Sequence, residues 1–468
     1  MASEEKNNDS GLARLGLKLS DWFEKWFPDA FALALAAVAV VFVATLFAGA
    51  SPLDSAQRFG AGFWDLITFT LQMSMIVVTG YAVATAPPVY RVIRALAAWP
   101  STGPGAAAYV GLFSMLTSLI SWSFSLIFSA LLAREIAHRV RGADYRAIGA
   151  AAYLGVGSVW ALGMSSSAAL LMASPKSLPD AVKSISGVLP LSQTLGLWQS
   201  LTIAASLILV SMAVAFYSAP SATQARTMQD MGVTYAPATH DIGKRATPGE
   251  WLEYSPLLTI VLCALGFGYL VREVIASDLG WGVLLQLDHY LFLFLVIGLL
   301  LHWRPKSFVQ AISASVTPVG GVMIQYPMYA GIVKMLTESG LAKQIADFFV
   351  SIANEHTYPV LVGIYSALLG VFIPSAGGKW IIEAPYLLGA AKDLHVHLGW
   401  VVQTYNATEA LANLIHPFWM LPLVGILGIK ARDIVGYSML QLVVHVPLVL
   451  LLVWALNYTL QYVPPVLP

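Results

Sequence analysis

Long apolar stretches alternate with short polar breaks along nearly the whole chain, and the lengths of those stretches carry the first information. A helix rises about 1.5 Å per residue, so crossing a hydrocarbon core of ~30 Å takes ~20 apolar residues. Segments near 28–50, 63–85, 146–174, 195–217, 252–275, 288–303, 309–337, 397–428 and 434–458 predict about nine transmembrane helices. Two further apolar regions, near 105–137 and 357–391, carry a polar interruption at mid-length: "SWSFS" at 121–125 and "PSAGGK" at 374–379. Their shorter arms, at about 11 residues, cover only ~17 Å, about half a bilayer. Each region is either a re-entrant hairpin or one kinked span.

Charge separates those two readings. With both regions as hairpins and the N-terminus inside, 17 Lys and Arg fall on the cytoplasmic side and 7 outside, with Lys379 at a tip completing the 25. Treating both as full spans gives 13 against 11. The excess of positive charge on cytoplasmic loops favours the hairpins, one entering from each face. It also puts the N-terminus in the cytoplasm and the C-terminus on the outer side of the membrane.

Composition agrees with a membrane protein: 58% of residues are hydrophobic and 11% charged, against about 25% charged in a soluble domain. Net charge is zero, no long basic run occurs, and nucleic acid is not an expected partner. The single cysteine, Cys263, excludes a disulfide framework within the chain. Polar "MASEEKNNDS" precedes any apolar segment, which argues against a cleavable signal. Leu12, Leu15, Leu19, Trp22, Phe23 and Trp26 then recur at helical spacing among Arg14, Lys18 and Lys25, the pattern of an interfacial helix in a tail over 1–27; a frayed tail is the alternative.

The order span, span, hairpin, span, span occurs over 28–217 and again over 288–468. A polar loop and one connecting helix, within 218–287, lie between the copies and invert the second. "GYAVATAPPVYRVIRALA" (80–97) and "QYPMYAGIVKMLTESGLA" (325–342) correspond in position, as do polar breaks at "GMSSSA" (163–168) and "NLIHP" (413–417). Inverted repeats with broken helices characterise secondary transporters, whose sites lie at mid-membrane between the repeats. The fold class expected is an all-α polytopic membrane protein with two re-entrant hairpins in an inverted-topology repeat.

On the stretches "GFWDLITFTLQMSMIVVTGYAVA", "AREIAHRVRGADY", "QYPMYAGI", "FIPSAGGKW" and "HPFWMLP", the chain resembles the bacterial short-chain fatty acid transporter family, the acetoacetate and butyrate uptake type. The resemblance spans nearly the whole chain. It implies a place in the wider ion-transporter superfamily that includes dicarboxylate–sodium symporters. It further implies a bacterial inner membrane location, a homodimer, and an elevator-type transport domain carrying both hairpins. Departures concentrate at the tips: "SWSFS" replaces an Asn-Trp-Gly-Phe-Gly run, Ala376 and Lys379 replace a Gly and a His, and His416 replaces a Gln. Glu409 and Asn413 match.

A short carboxylate needs hydrogen-bond donors for its oxygens and apolar walls for its tail. Each tip is followed by a helix start, whose free N–H groups and positive dipole end attract an anion. Ala376, Gly377 and Gly378 let backbone approach the ligand, Ser375 donates a hydroxyl, and Ser121, Ser123 and Ser125 offer the same from the other tip. Ser165, Ser166, Ser167 and Asn413 line the two breaks, with Trp122, Trp380 and Phe418 as walls. The alternative is that Ser and Gly merely allow close helix packing.

Lys379 is a charge at mid-bilayer and needs a partner: the substrate carboxylate, Glu383 one turn on, or Glu409. Glu409 and His416, seven residues apart, are candidates to carry a coupling proton on one helix face. Sodium held by freed carbonyls, or exchange, are the alternatives. Proton symport is the reading adopted, with no cofactor and no resident metal. "SAGGKW" lacks the first Gly of a phosphate loop, and His395 and His397 are too sparse for a metal site. A passive channel or an intramembrane serine hydrolase using "GMSS" remain as other classes, and a dicarboxylate as another cargo.

Overall fold

The computed structural model describes residues 10–466 apart from 66, 176–177, 236–241, 278–279, 317–318 and 374–375. Within them the chain is all-helical, with no strand. Among the described residues, five helices are long and apolar enough to cross a bilayer, or up to eight if each sharply bent pair is one span. Seven of the nine expected spans fall in this set; those near 288–303 and 309–337 do not, the first being the shorter apolar helix Leu287–His302. The segment near 309–337 is two helices, Pro305–Ser315 and Val319–Glu338. The segment near 63–85 is preceded by a separate helix, Pro52–Asp65, which lies across Val319–Glu338.

The close approach of those two helices depends on small residues. A Cβ on Gly62 would lie 2.6 Å from the Lys334 Cβ, and one on Gly331 would lie 2.4 Å from the Phe59 ring. Helix–helix association in a bilayer gains little from hydrophobicity and relies on such contact.

Burial sorts the helices by depth. Tyr145–Met172 is central: 89% of its most apolar stretch is buried, against 22% for Pro248–Ala276. The latter, which includes the expected connecting helix, exposes Leu258, Ile260, Val261, Leu262 and Leu265 in succession. In water that surface would aggregate; in lipid it is the expected exterior.

Helices break where both regions predicted as hairpins are interrupted. Gly103–Ile120 packs against Trp122–Arg139 across Ser121, whose backbone is extended and whose hydroxyl accepts from the Phe124 N–H at 3.3 Å. Tyr358–Gly370 packs against Ala376–Asp393 in the second region. The two following spans are broken as well. Tyr145–Leu154 passes into a π-helical turn at Gly155–Val159, a short 3₁₀ turn, and then the separate helix Ser167–Met172. Leu398–Asn413 and Pro417–Leu427 meet at 54°.

The N-terminal helix Gly11–Trp26 is capped by Ser10 and packs on Ala431–Asn457. Its Ala13, Gly16, Ser20 and Phe23 are buried, while Leu15, Trp22 and Trp26 face outward, an apolar edge suited to an interface. The polar loop after Ser218 is tied down beside it. Arg226 pairs with Glu24 at 2.6 Å, and the buried Arg146 bonds Asp144 at 2.8 Å and Glu24 at 3.0 Å.

Candidate functional site

A cavity of about 630 Å³ lies where both tips and both breaks converge. The first hairpin contributes Ile120, Ser121, Trp122 and Ser123; the first break contributes Val156, Trp160, Met164, Ser165 and Ser167. The second hairpin brings Ala376, Gly377 and Gly378, and the second broken helix ends in Asn413. Four elements spread from Ile120 to Asn413 along the chain thus enclose one space.

Of the expected ligand-binding residues, Ser121, Trp122, Ser123, Ser165, Ser167, Ala376, Gly377, Gly378 and Asn413 line the cavity. Ser375 lies outside the described residues. Ser125 and Ser166 are buried and turned to backbone: Ser125 donates to the Ser114 carbonyl at 2.7 Å, and Ser166 accepts from the Ala169 N–H at 3.1 Å. Trp380 packs on Tyr405 and Phe418 on Tyr329, so neither walls the cavity.

Trp160 and Trp419, which the sequence does not single out, take that place and sandwich Trp122 edge-on, with ring centroids 6.5 and 5.2 Å from it. Tyr290 is the other addition: the Ser121 hydroxyl donates to its phenol oxygen at 2.7 Å. A Tyr or Trp in an apolar helix reads as core or belt, so nothing local marks these three.

Ser165 works as a fastener. Its oxygen accepts from the Trp122 N–H at 2.8 Å, and its proton goes to the Ser118 carbonyl at 2.7 Å, joining both arms of the first hairpin to the break. A Cβ on Gly377 would lie 3.1 Å from the Ser167 Cβ, so the second tip rests directly on the first broken helix. Asn413 donates to the Val156 carbonyl at 3.3 Å, and its Oδ1 is buried without a partner. Rotating the amide exchanges that acceptor for a donor, so Asn413 can meet either group of a ligand.

No lining residue carries a charge. Lys379, beside the lining Gly378, is fully buried and turned away: it bonds the Glu409 carboxylate and the Ser366 carbonyl, the latter at 2.7 Å, and sits 4.8 Å from the Tyr405 ring centroid. Of its three possible partners the one it meets is Glu409.

Glu409 and His416 do not share a helix face, because the helix ends at Asn413 and His416 caps the next one. The His416 Nδ1 accepts from the Phe418 N–H at 3.2 Å, and Nε2 lies 2.9 Å from the Val371 carbonyl. That network assigns one neutral tautomer with both nitrogens engaged.

An anion in this cavity would be held by hydroxyls, the Asn413 amide, and the N-terminal ends of Trp122–Arg139 and Ala376–Asp393, with indole walls for an apolar tail. An all-helical bilayer protein whose helices break around one such cavity fits a class, the membrane transport proteins. The profile of the short chain fatty acid transporter family matches residues 11–456, and the chain belongs to that family.

A relative from Escherichia coli K12, provisionally named a short-chain fatty acid transporter, is 33% identical over 92% of this chain and 97% of its own. A Haemophilus influenzae relative with the same provisional name is 30% identical over 93% of this chain and 98% of its own. Among solved structures, the Alcanivorax borkumensis YdaH transporter aligns over 94% of this chain and 100% of its own, with 15% identity and a TM-score of 0.45. The Neisseria gonorrhoeae antimetabolite efflux pump MtrF aligns over 93% and 97%, with 13% identity and a TM-score of 0.42.

Proposed function

We propose that the protein is a secondary active transporter of short-chain fatty acids and similar small monocarboxylates across the bacterial inner membrane. The observation that carries this reading is the uncharged, indole-walled cavity between two hairpin tips and two helix breaks. Helix N-termini and hydroxyls suit one carboxylate group; tryptophans suit a short alkyl tail. The same cavity disfavours a dicarboxylate, whose second charge would meet no fixed cation among the lining residues.

In this reading the two sets of elements, 28–217 and 288–468, are inverted repeats with the N-terminus cytoplasmic and the C-terminus periplasmic. The tips and breaks move together as an elevator-type transport domain within a homodimer, and movement is coupled to an ion. The order of helices recurring along the chain supports the repeat, and the indirect contact between hairpins through Ser165 and Gly377 supports their moving as one body.

The test is a counterflow panel in proteoliposomes with radiolabelled acetate, butyrate, acetoacetate and succinate, each measured against protein-free vesicles. Exchange of the monocarboxylates with no exchange of succinate is expected. Succinate exchange alone, or electrogenic flux without counterflow, would replace this reading with a dicarboxylate carrier or a channel.

A further inference from the structure

Beside the cavity, and not lining it, lies a cluster of three buried ionisable side chains: Lys379, Glu383 and Glu409, each no more than 1% exposed. One ammonium faces two carboxylates. Lys379 is committed to Glu409 and to the Ser366 carbonyl. Glu383, one helical turn beyond Lys379, has no cation among the described residues bonded to either oxygen. The hydroxyls of Tyr365 and Ser366 are its polar neighbours, and neither oxygen meets a donor at full hydrogen-bond geometry. The groups around it are Lys379 on its own helix, Tyr365 and Ser366 on Tyr358–Gly370, and Glu409 and Tyr405 on Leu398–Asn413. A carboxylate ion buried beside two neutral hydroxyls and no free counter-charge still carries a desolvation cost of several kcal/mol, whereas the neutral acid carries far less.

We propose that Glu383 is a proton-binding site that couples transport. In this conformation it is the carboxylic acid, Lys379 and Glu409 are the ion pair, and the cluster is neutral. When the cluster opens to water on one side, Glu383 releases its proton to that phase and becomes a carboxylate, leaving the cluster with one net negative charge. Gly378 lines the cavity and Lys379 follows it directly, so that charge repels a carboxylate at the second tip. A protonated cluster therefore favours loading, which makes the coupling a symport. A metal cation suits the place poorly, because the Lys379 ammonium is already bonded to one of the two carboxylates and would repel it.

The inference rests on the transport reading for its consequence and stands apart from it for its site. Infrared difference spectra of the purified protein in detergent need no substrate. At neutral pH a buried carboxylic acid C=O band is expected in the wild type and is expected to be absent from Glu383→Gln. It should also vanish in Glu409→Gln, where Lys379 is released to turn to Glu383, its neighbour four residues along the helix. A band that survives in both variants, or no band in the wild type, overturns the assignment. In proteoliposomes, Glu383→Gln should keep butyrate counterflow while its uptake under an imposed pH gradient falls to the level without a gradient. Gradient-driven accumulation equal to the wild type overturns the coupling role. If the wild type shows no carboxylate counterflow at all, the transport reading fails, and the infrared result still decides the proton site.

Discussion

The two hairpins do similar geometrical work with different chemistry. The first is fastened to its broken helix by neutral hydrogen bonds: Ser114 donates to the Ala152 carbonyl at 2.7 Å and accepts from the Gly155 N–H at 2.9 Å, while Ser165 ties in the tip. The second is fastened by a buried ion pair, Lys379 to Glu409, and by the Tyr405 hydroxyl donating to the Ala376 carbonyl at 2.6 Å. In both, a residue at the helix break bonds the carbonyl near the end of the first hairpin arm, Ser165 to Ser118 and His416 to Val371. The parallel suggests a shared architecture; the difference places a buried ion pair next to the tip in the second hairpin, whereas the buried Glu135 of the first lies near the far end of its helix. Both sides line the cavity, and the charge cluster lies behind the second.

The comparison breaks most visibly at Lys379. Removing one partner of a buried ion pair leaves an uncompensated charge, at a cost of ~3–5 kcal/mol. Lys379→Met is expected to lower the unfolding temperature in detergent sharply and to reduce yield. Lys379→Met combined with Glu409→Gln should recover most of that loss, because neither charge then remains. Equal destabilisation by the single and double variants would mean the pair contributes through shape alone.

The neutral hairpin has its counterpart at Gly155. A Cβ there would meet the Ser114 carbonyl at 2.3 Å and the Ser125 hydroxyl at 2.7 Å. Since a backbone atom cannot swing aside, Gly155→Ala should cost ~1–3 kcal/mol of stability. A matching alanine at Gly389, where an added Cβ meets nothing within 4 Å, serves as the control and should leave the unfolding temperature where it is.

How much of this was legible beforehand differs between the two sides. Polar residues inside apolar runs are conspicuous, so Ser121, Ser165, Gly377 and Asn413 could be singled out, and they do meet at one cavity. The same contrast located the helix breaks after Ile120 and Gly370. The helix Pro52–Asp65 escaped notice because its polar residues made it resemble a loop, and Tyr290, Trp160 and Trp419 look like any aromatic residue in an apolar helix. The partner of Lys379 was legible only as a set of alternatives. Glu383 is one turn away on the same helix, but Glu409 is 30 residues distant, and its choice depends on how two helices pack. His416 shows the reverse error: counting seven residues from Glu409 assumes one unbroken helix, and Pro417 starts another.

Asn413 sharpens the contrast within the cavity itself. Asn413→Leu removes an amide that offers both a donor and an acceptor, while keeping a branched side chain and both members of the ion pair, of which Glu409 lies one turn earlier on the same helix. Loss of a neutral hydrogen bond to a charged ligand is worth ~1.5–3 kcal/mol, so half-saturation for butyrate counterflow should rise about tenfold or more. An unchanged half-saturation would confine Asn413 to its bond with the Val156 carbonyl.

The smallest expected effect is at Tyr290, the one polar cavity residue supplied by the helix Leu287–His302, outside both hairpins and both breaks. Its phenol oxygen accepts from Ser121, so Tyr290→Phe leaves that hydroxyl free to turn to its other neighbour, Ser123, 3.2 Å away. A neutral hydrogen bond that can be replaced is worth ~0.5–1.5 kcal/mol. If the hairpins move as a body against this helix, the bond exists in one state only, and losing it shifts the balance between states by that amount. Initial rates of butyrate exchange should then change about two- to tenfold with half-saturation nearly constant. A change in half-saturation with the rate preserved would instead make Tyr290 part of the binding site, on the same footing as Asn413.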